Sequence, residues 1–413
     1  VNRSNGGGTG TGGGMRGAAG GANLLALRSH NTALVLDLLR TAGGAGISRL
    51  ELAERTGLTP QAVSKITARL RGEGLAAEAG RRASTGGKPR TVLRLVPGAG
   101  HALGVHLDRD ELRAVLVDLD GTVVAERRAP LDLGAGAETV LEGVARAAEE
   151  LAAEGLGHLV AEDARVPGAA LAAAPSLLGL GVALPGPLDH VRGVLHRITG
   201  FPGWDGYPLR EALERRLGVP VVVDKDTNAA ALGLAVGGAG GGAAGAGGEA
   251  AGAGARGGSF AYLHLGTGLG AGLVFGGGVH RGARTGAGEF GHQVVQLDGP
   301  PCTCGARGCI EALCLAAVAR GDLAEAARVL GTGAANLAGL LDIDLVLLGG
   351  RTVAAAPESF VHGVGAVLDA RARREGGHDG PVPVRLAPAG ARGVAEGAAQ
   401  LLLAPLFGRG EGG

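Results

Sequence analysis

The chain has 413 residues, 46% of them hydrophobic, and 39 Lys/Arg balance 39 Asp/Glu. That length accommodates two or three domains, and that composition excludes a wholly disordered chain. No run of eighteen or more apolar residues offers a bilayer span. The Gly-rich start lacks the apolar stretch of a secretory signal, so the expected location is the cytoplasm.

In chain order, residues 1–22 read as a flexible Gly/Ala tail and residues 23–97 as a first domain. Asn31 is expected to cap a helix that carries Leu34, Val35, Leu38 and Leu39 on one face. Ser48 and Glu51 have the spacing of a capping box for a second helix, closed by Gly57. Thr59 caps a third helix with Pro60 at its first position, where a missing N–H costs nothing. Val63, Ile66 and Leu70 form its buried stripe, which turns Gln61, Ala62, Ser64 and Lys65 outward. That is the end of a recognition helix that meets base edges.

Two predicted strands follow, Leu75–Glu78 and Thr91–Leu95, joined by a tip that carries Arg82, Lys88 and Arg90. Such a tip is a wing, and its cations suit phosphates or the minor groove. From Leu24 to Leu95 twelve Lys/Arg face five Asp/Glu, a net of +7 on an otherwise acidic chain. A small helical bundle with a solvated basic loop is the plainer reading. The caps, the wing and the charge together favour a winged helix-turn-helix that binds double-stranded DNA.

Residues 98–413 alternate strand-like apolar runs (Ala102–His106, Ala114–Val117, Leu180–Leu184, Val219–Val223, Tyr262–Leu265, Leu345–Leu348) with Ala/Leu/Glu/Arg-rich stretches. That alternation predicts a layered α/β body. Residues 237–258 are almost wholly Gly and Ala and read as a disordered insertion. Four cysteines crowd between Cys302 and Cys314. His292, Cys302, Cys304 and Cys309 offer one nitrogen and three sulfurs, a closed tetrahedral set for structural zinc. Gly305 and Gly308 permit the turns between these ligands, and Cys314 is expected in the core.

Gly266-Thr267-Gly268-Leu269-Gly270-Ala271-Gly272, Gly286-Ala287-Gly288-Glu289-Phe290-Gly291-His292 and the segment from Cys302 to Glu311 together resemble the signature of the ROK family (repressors, open reading frames and sugar kinases). The resemblance runs from about Leu24 to Phe407. It implies a winged helix followed by two lobes of the actin-like, ribonuclease-H-like sugar-kinase fold. A sugar would lie between the lobes, braced by the zinc loop. In kinases of the family a Glu-x-x-His pair, the Glu after the last cysteine and an Asn-Asp pair hold the sugar, the Asp being the catalytic base. By that resemblance the sugar-binding residues are Glu289, His292, Glu311 and Asp226, with Lys225 beside them.

Two departures qualify the resemblance. Where the kinases carry Asp-x-Gly-x-Thr around the ATP phosphates, this chain has Gly104-Val105-His106-Leu107-Asp108-Arg109-Asp110. The Asp108 and Asp110 carboxylates would repel an anion, so the body is expected to sense rather than to catalyse. An active sugar kinase with an appended head is the alternative. Lys225 stands where the family has Asn, and it would pair with an effector phosphate or with Asp224. The whole then reads as a transcriptional regulator of carbohydrate metabolism, a repressor, with activation as the alternative sense. A sugar or sugar phosphate would release it from its operator. It would act as a homodimer or tetramer, with no membrane association.

Overall fold

A capped three-helix unit opens the computed structural model, which describes residues 30–82, 90–157, 171, 176–237, 258–376, 380–388 and 390–409. The expected tail 1–22, the wing tip with Lys88 and residues 238–257 of the expected insertion lie outside the described residues. Helices α1 (His30–Ala42), α2 (Arg49–Thr56) and α3 (Pro60–Gly72) pack on a small sheet of β1 (Ile47–Ser48), β2 (Ala76–Arg82) and β3 (Arg90–Leu95), ordered β1-β3-β2. The capping box forms as its spacing predicts. Ser48 Oγ accepts from the Glu51 N–H, and the Ser48 N–H donates to Glu51 Oε2 at 2.8 Å. Gly57 closes α2 in the left-handed region, and Thr59 Oγ1 accepts from the Ala62 N–H to start α3.

Two local expectations are corrected here. Asn31 lies inside α1 rather than at its cap, and the buried stripe is Ala33, Val35, Leu36 and Leu39, with Leu34 and Leu38 only half-buried. Strand β2 continues past Glu78 to Arg82 through a bulge between Glu78 and Gly80. The bulge supplies the extra twist that carries a hairpin beyond its regular pairing.

The rest of the chain repeats one sheet order twice. The first lobe holds β4 (His101–Leu107), β5 (Glu111–Asp118), β6 (Val123–Pro130), β7 (Leu177–Leu184) and β10 (Val221–Lys225), ordered β10-β7-β4-β5-β6. A short hairpin, β8 (Leu188–Asp189) with β9 (Val194–Leu195), projects between β7 and β10. The second lobe holds β11 (Phe260–Leu265), β12 (Leu269–Phe275), β13 (Gly278–Val279), β14 (Leu345–Gly349) and β15 (Val384–Leu386), ordered β13-β12-β11-β14-β15. In each sheet three antiparallel strands are extended by two parallel ones.

Helices fill the layers. Helix α4 (Ala137–Leu156), with α5 (Leu209–Leu217), covers the outer face of the first sheet, where Leu103, Val105 and Leu107 of β4 meet Val140, Val144 and Leu151. Two helices lie between the sheets, α6 (Asp226–Gly237) and α11 (Gly393–Leu403). Helices α7 (Ile310–Ala319), α8 (Leu323–Leu341) and α10 (Pro357–Glu375), with the short α9 (Arg351–Ala355), cover the far face of the second sheet. Parallel strands buried on both faces read as unbroken apolar runs, and β7 and β14 do so. Among the described residues no helix is long and apolar enough to cross a membrane.

Candidate functional site

The loop after β4, the junction of β10 with α6 and the β11–β12 turn border one cleft. It is lined by Asp108, Arg109, Lys225, Asp226, His264, Thr267, Glu289, His292 and Glu311, among others. All five residues expected to bind sugar therefore share one cavity. Asp226 is the first residue of α6 and its Oδ1 accepts from the Thr227 N–H at 2.6 Å, so a helix N-terminus holds the carboxylate. Glu289 precedes and His292 ends a single helical turn, Phe290–His292. Glu311 lies in the first turn of α7, and its Oε2 accepts from the Leu269 N–H at 2.8 Å.

Lys225 answers the sequence alternatives with a third arrangement. Its side chain is 3% exposed, and Nζ donates to the Ala287 carbonyl and to Glu289 Oε1, the latter at 3.2 Å. Asp224 is instead paired with Arg281, whose Nε donates at 2.7 Å, and it also accepts from Asn228 Nδ2. The ammonium thus reaches the cleft, but its charge meets Glu289. Arg281 carries no motif signal in the sequence and was not anticipated.

The phosphate side of the cleft corrects the reading of two free carboxylates. Arg351, the first residue of α9, donates from Nη2 to Asp108 and Asp110 and from Nη1 to Asp110 at 3.0 Å. Thr267 Oγ1 donates to Asp108 Oδ1 at 3.0 Å. Burial alone would raise the Asp108 pKa, but the Arg351 guanidinium and the Arg109 N–H outweigh it and hold the carboxyl at about 2. Repulsion by bare acids therefore does not describe this corner. A guanidinium from the second lobe fills it and ties it to the first lobe.

Most of the glycine-rich segment Gly266–Gly272 is strand rather than turn. Only Gly266–Gly268 turns, and Leu269–Phe275 is strand β12. Gly272 is needed there because a Cβ would overlap the Thr227 carbonyl of α6. Behind His264 of the cleft lining, burial lowers the His106 pKa to about 4, so its ring is neutral at pH 7. His264 packs edge-on against it, and the Tyr262 hydroxyl pairs with His264 Nδ1 at 2.9 Å. Neither Tyr262 nor His264 was visible as a site residue in the sequence.

The four expected metal ligands converge. One ligand atom from each of His292, Cys302, Cys304 and Cys309 lies within 4.8 Å of the others. Cys302 Sγ is 3.7 Å from His292 Nδ1, and Cys304 Sγ is 3.7 Å from Cys309 Sγ. Without a cation, burial and the adjacent sulfurs push the Cys309 thiol up to about 12. A divalent ion is what would let three such thiols ionise together. Gly308 is obligatory in this loop, since a Cβ would overlap the Gln296 carbonyl. Cys314 is buried on α7, outside the set, as expected.

On the N-terminal unit, Gln61, Ser64 and Lys65 are exposed on α3 and Ala62 is half-exposed. Arg90 is exposed at the start of β3. Arg82 ends β2, and its side chain, like all of Lys88, lies outside the described residues.

The ROK family model matches residues 102–317. The xylose repressor of Bacillus subtilis strain 168 is 27% identical over 265 residues, 64% of this chain and 61% of that protein. The DNA-binding transcriptional dual regulator NagC of Escherichia coli K12 is 29% identical over 291 residues, 70% of this chain and 64% of that one. The matched segment thus spans less than two thirds of the length of these relatives. Among solved structures, the ROK hexokinase from Thermus thermophilus is similar at 30% identity and a TM-score of 0.52, over 72% of this chain and 96% of that one. A ROK family transcriptional regulator, a homolog of the E. coli MLC protein, reaches a TM-score of 0.68 at 20% identity over 92% of this chain and 97% of that one, a likeness of fold.

Proposed function

We propose that this chain, which belongs to the ROK family, is a DNA-binding regulator of carbohydrate metabolism, a repressor released from its operator by a sugar in the cleft. Residues 23–97 are its head and residues 98–413 its sensor and dimerisation body. The observation that carries the reading is a pairing within one chain. An exposed face of α3 (Gln61, Ser64, Lys65) is free for a major groove, while a cleft gathers Asp226, Glu289, His292 and Glu311 behind a closed phosphate corner. Carboxylates and imidazole are suited to vicinal hydroxyls because each can make paired hydrogen bonds.

The effector we favour is a neutral sugar rather than its phosphate. Lys225 is paired with Glu289 and Arg351 with the Asp108–Asp110 pair, which leaves Asp226 and Glu311, offset in part by Arg109, to set the field that a ligand meets. Zinc is the metal we assign to His292, Cys302, Cys304 and Cys309. It would hold the loop that carries His292 into the cleft and leads to Glu311, with no chemical step of its own. A homodimer or tetramer would present its heads to a palindromic operator. A sugar kinase with an appended head is the second reading. It rests on Asp226 in the cleft and on the likeness to the hexokinase, and the Arg351 clasp counts against it.

Selection from a random-sequence duplex pool by the full chain tests the function directly. Enrichment of one inverted-repeat motif, with elution by a sugar, is the expected result. Enrichment of no sequence above background would refute the DNA-binding reading.

A further inference from the structure

We infer that α11 is the coupler between the cleft and the N-terminal unit, and that the seam of Asp37, Arg40 and Arg409 is the releasable end of that coupler. The inference rests on the proposed function only for what occupies the cleft. The connection itself follows from packing.

At the cleft end, α6 begins with Asp226, and the Thr227 carbonyl abuts Gly272 of β12. Helix α6 then meets α11 backbone to backbone at Gly397, where a Cβ would overlap the Ala229 carbonyl. The opposite face of α11 meets the first sheet in the same way. A Cβ at Gly104 of β4 would overlap the Ala395 carbonyl, and one at Gly181 of β7 the Ala398 carbonyl. Backbone-on-backbone contacts leave no rotamers to absorb a displacement. A shift of α6 is therefore passed to α11 rather than lost in side chains.

At the other end, α11 runs into the turn Ala404–Phe407. Leu402, Leu403, Leu406 and Phe407 share one core with Val35, Leu36, Leu39 and Leu52 of the N-terminal unit. The rim of this contact is polar. Asp37 accepts from Arg40 at 3.2 Å and from Arg409 at 2.8 Å, and the Arg40 guanidinium lies 4.5 Å from the Phe407 ring centre.

This rim is poorly satisfied. Among the described residues, Arg40 Nε, Asp120 Oδ1 and Gln400 Oε1 are buried without hydrogen-bond partners; the Asp120 charge acts on Arg40, and Gln400 of α11 lies against Gly121, the next residue. Burial lowers the Arg40 pKa and raises that of Asp120, so these charges are incompletely compensated. A buried contact with such defects is one that a second arrangement can rival.

Hydrogen exchange read by mass spectrometry on the full chain tests both ends. In the ligand-free arm, Leu232→Ala loosens α6 within the inter-sheet core. Exchange should rise at least threefold in α6, in α11 and in α1, while α4 and α8 stay unchanged. A rise that stops at α11 and spares α1 overturns the coupler. Arg409→Gln or Asp37→Asn should raise exchange in α1 and the last turn of α11 together. Unchanged exchange in α1 in both variants overturns the seam assignment.

In the ligand arm, D-xylose and N-acetyl-D-glucosamine are the probes, with binding confirmed by calorimetry. A bound sugar should alter exchange in α6, α11 and α1 of the wild type, and Arg409→Gln should keep the α6 change while losing the α1 change. Binding that alters α6 alone in the wild type overturns the coupler. If neither sugar binds, these two are excluded as effectors, and the coupler stands or falls on the ligand-free arm.

Discussion

Replacing Lys225 by methionine removes one charge from the cleft while nearly keeping the volume of the buried stem. The ammonium donates to Ala287 O and to Glu289, so the variant loses a charge-assisted bond and leaves a carbonyl without its donor. Breaking a fully buried ion pair costs about 3–5 kcal/mol. Glu289 is 43% exposed, so water screens it once Lys225 is gone, and the expected loss falls to about 1–2 kcal/mol. Thermal unfolding should therefore drop by a few degrees, roughly 2–4 °C per kcal/mol for a domain of this order of size.

The ligand effect discriminates more sharply. A phosphate at about 5 Å from one unpaired carboxylate is disfavoured by ~3 kcal/mol per unit charge at an effective dielectric of about 20. Asp226 and Glu311 supply such carboxylates, and Arg109 offsets only part of them. In calorimetric titration the wild type should bind a neutral sugar at least tenfold more tightly than its phosphate. Lys225→Met should weaken both, and the phosphate more, because Glu289 is then uncompensated. A wild type that prefers the phosphate, with the preference abolished in Lys225→Met, would refute the pairing argument, since the ammonium would then be meeting the ligand.

Three further outcomes are expected. Native protein should carry about one zinc per chain by elemental analysis, and Cys304→Ser should lose it, with sugar binding impaired before the fold is; metal-free native protein would sink the assignment. Lys65→Ala or Gln61→Ala should weaken specific DNA binding by roughly 1–3 kcal/mol, whereas Arg82, Lys88 or Arg90 to Ala should weaken binding to every duplex and flatten its salt dependence; equal effects on all sequences from both groups would remove the distinction between reading helix and wing. Neither the wild type nor Arg351→Ala should release ADP from ATP–magnesium with any sugar, because Arg351→Ala uncovers Asp108 and Asp110 without creating a phosphate cradle. As both folded acids titrate below their usual values, the stabilisation from the clasp is fully present above about pH 4, and the Asp108 part of it is lost as pH falls toward about 2; ADP above a no-sugar control would overturn the non-catalytic reading.

Much of the cleft could be read from the sequence because its residues lie in short local motifs. Glu289 and His292 share one helical turn, and Cys302, Cys304 and Cys309 share one glycine-hinged loop, so spacing alone places them together. The capping box of α2 and the cap of α3 were legible for the same reason. What the sequence hid is non-local. Arg351 lies 241 residues from Asp110 and reaches it only because β14 and β4 end at the same cleft. Arg281 and Asp224 are 57 residues apart and meet across the two lobes. Strand β12 was masked by its glycines, which lower strand propensity but are required where α6 crosses it. In α1, Leu36 displaced Leu34 from the core because the turn at Phe407 packs against that side of the helix, a contact supplied by the far end of the chain.

The placement of the cleft residues also sets what a ligand must do to act as a switch. Moving a two-state equilibrium from about 1:99 to 99:1 requires about 5.5 kcal/mol of differential affinity. Hydrogen bonds to charged groups contribute about 1.5–3 kcal/mol each, so two or three of them, made in one state only, suffice. Asp226 belongs to the first lobe, at the end of β10, while Glu289, His292 and Glu311 belong to the second. A sugar that spans Asp226 and any two of the others makes bonds whose lengths depend on how the lobes sit. A ligand that touches the second lobe alone binds both states equally and shifts nothing, however tightly it is held. Because Arg351 already bridges the lobes through Asp108 and Asp110, no second substrate is needed to draw them together on that side. The sugar's own binding energy is then available for the conformational step, which is what a sensor requires and a kinase must share with its nucleotide.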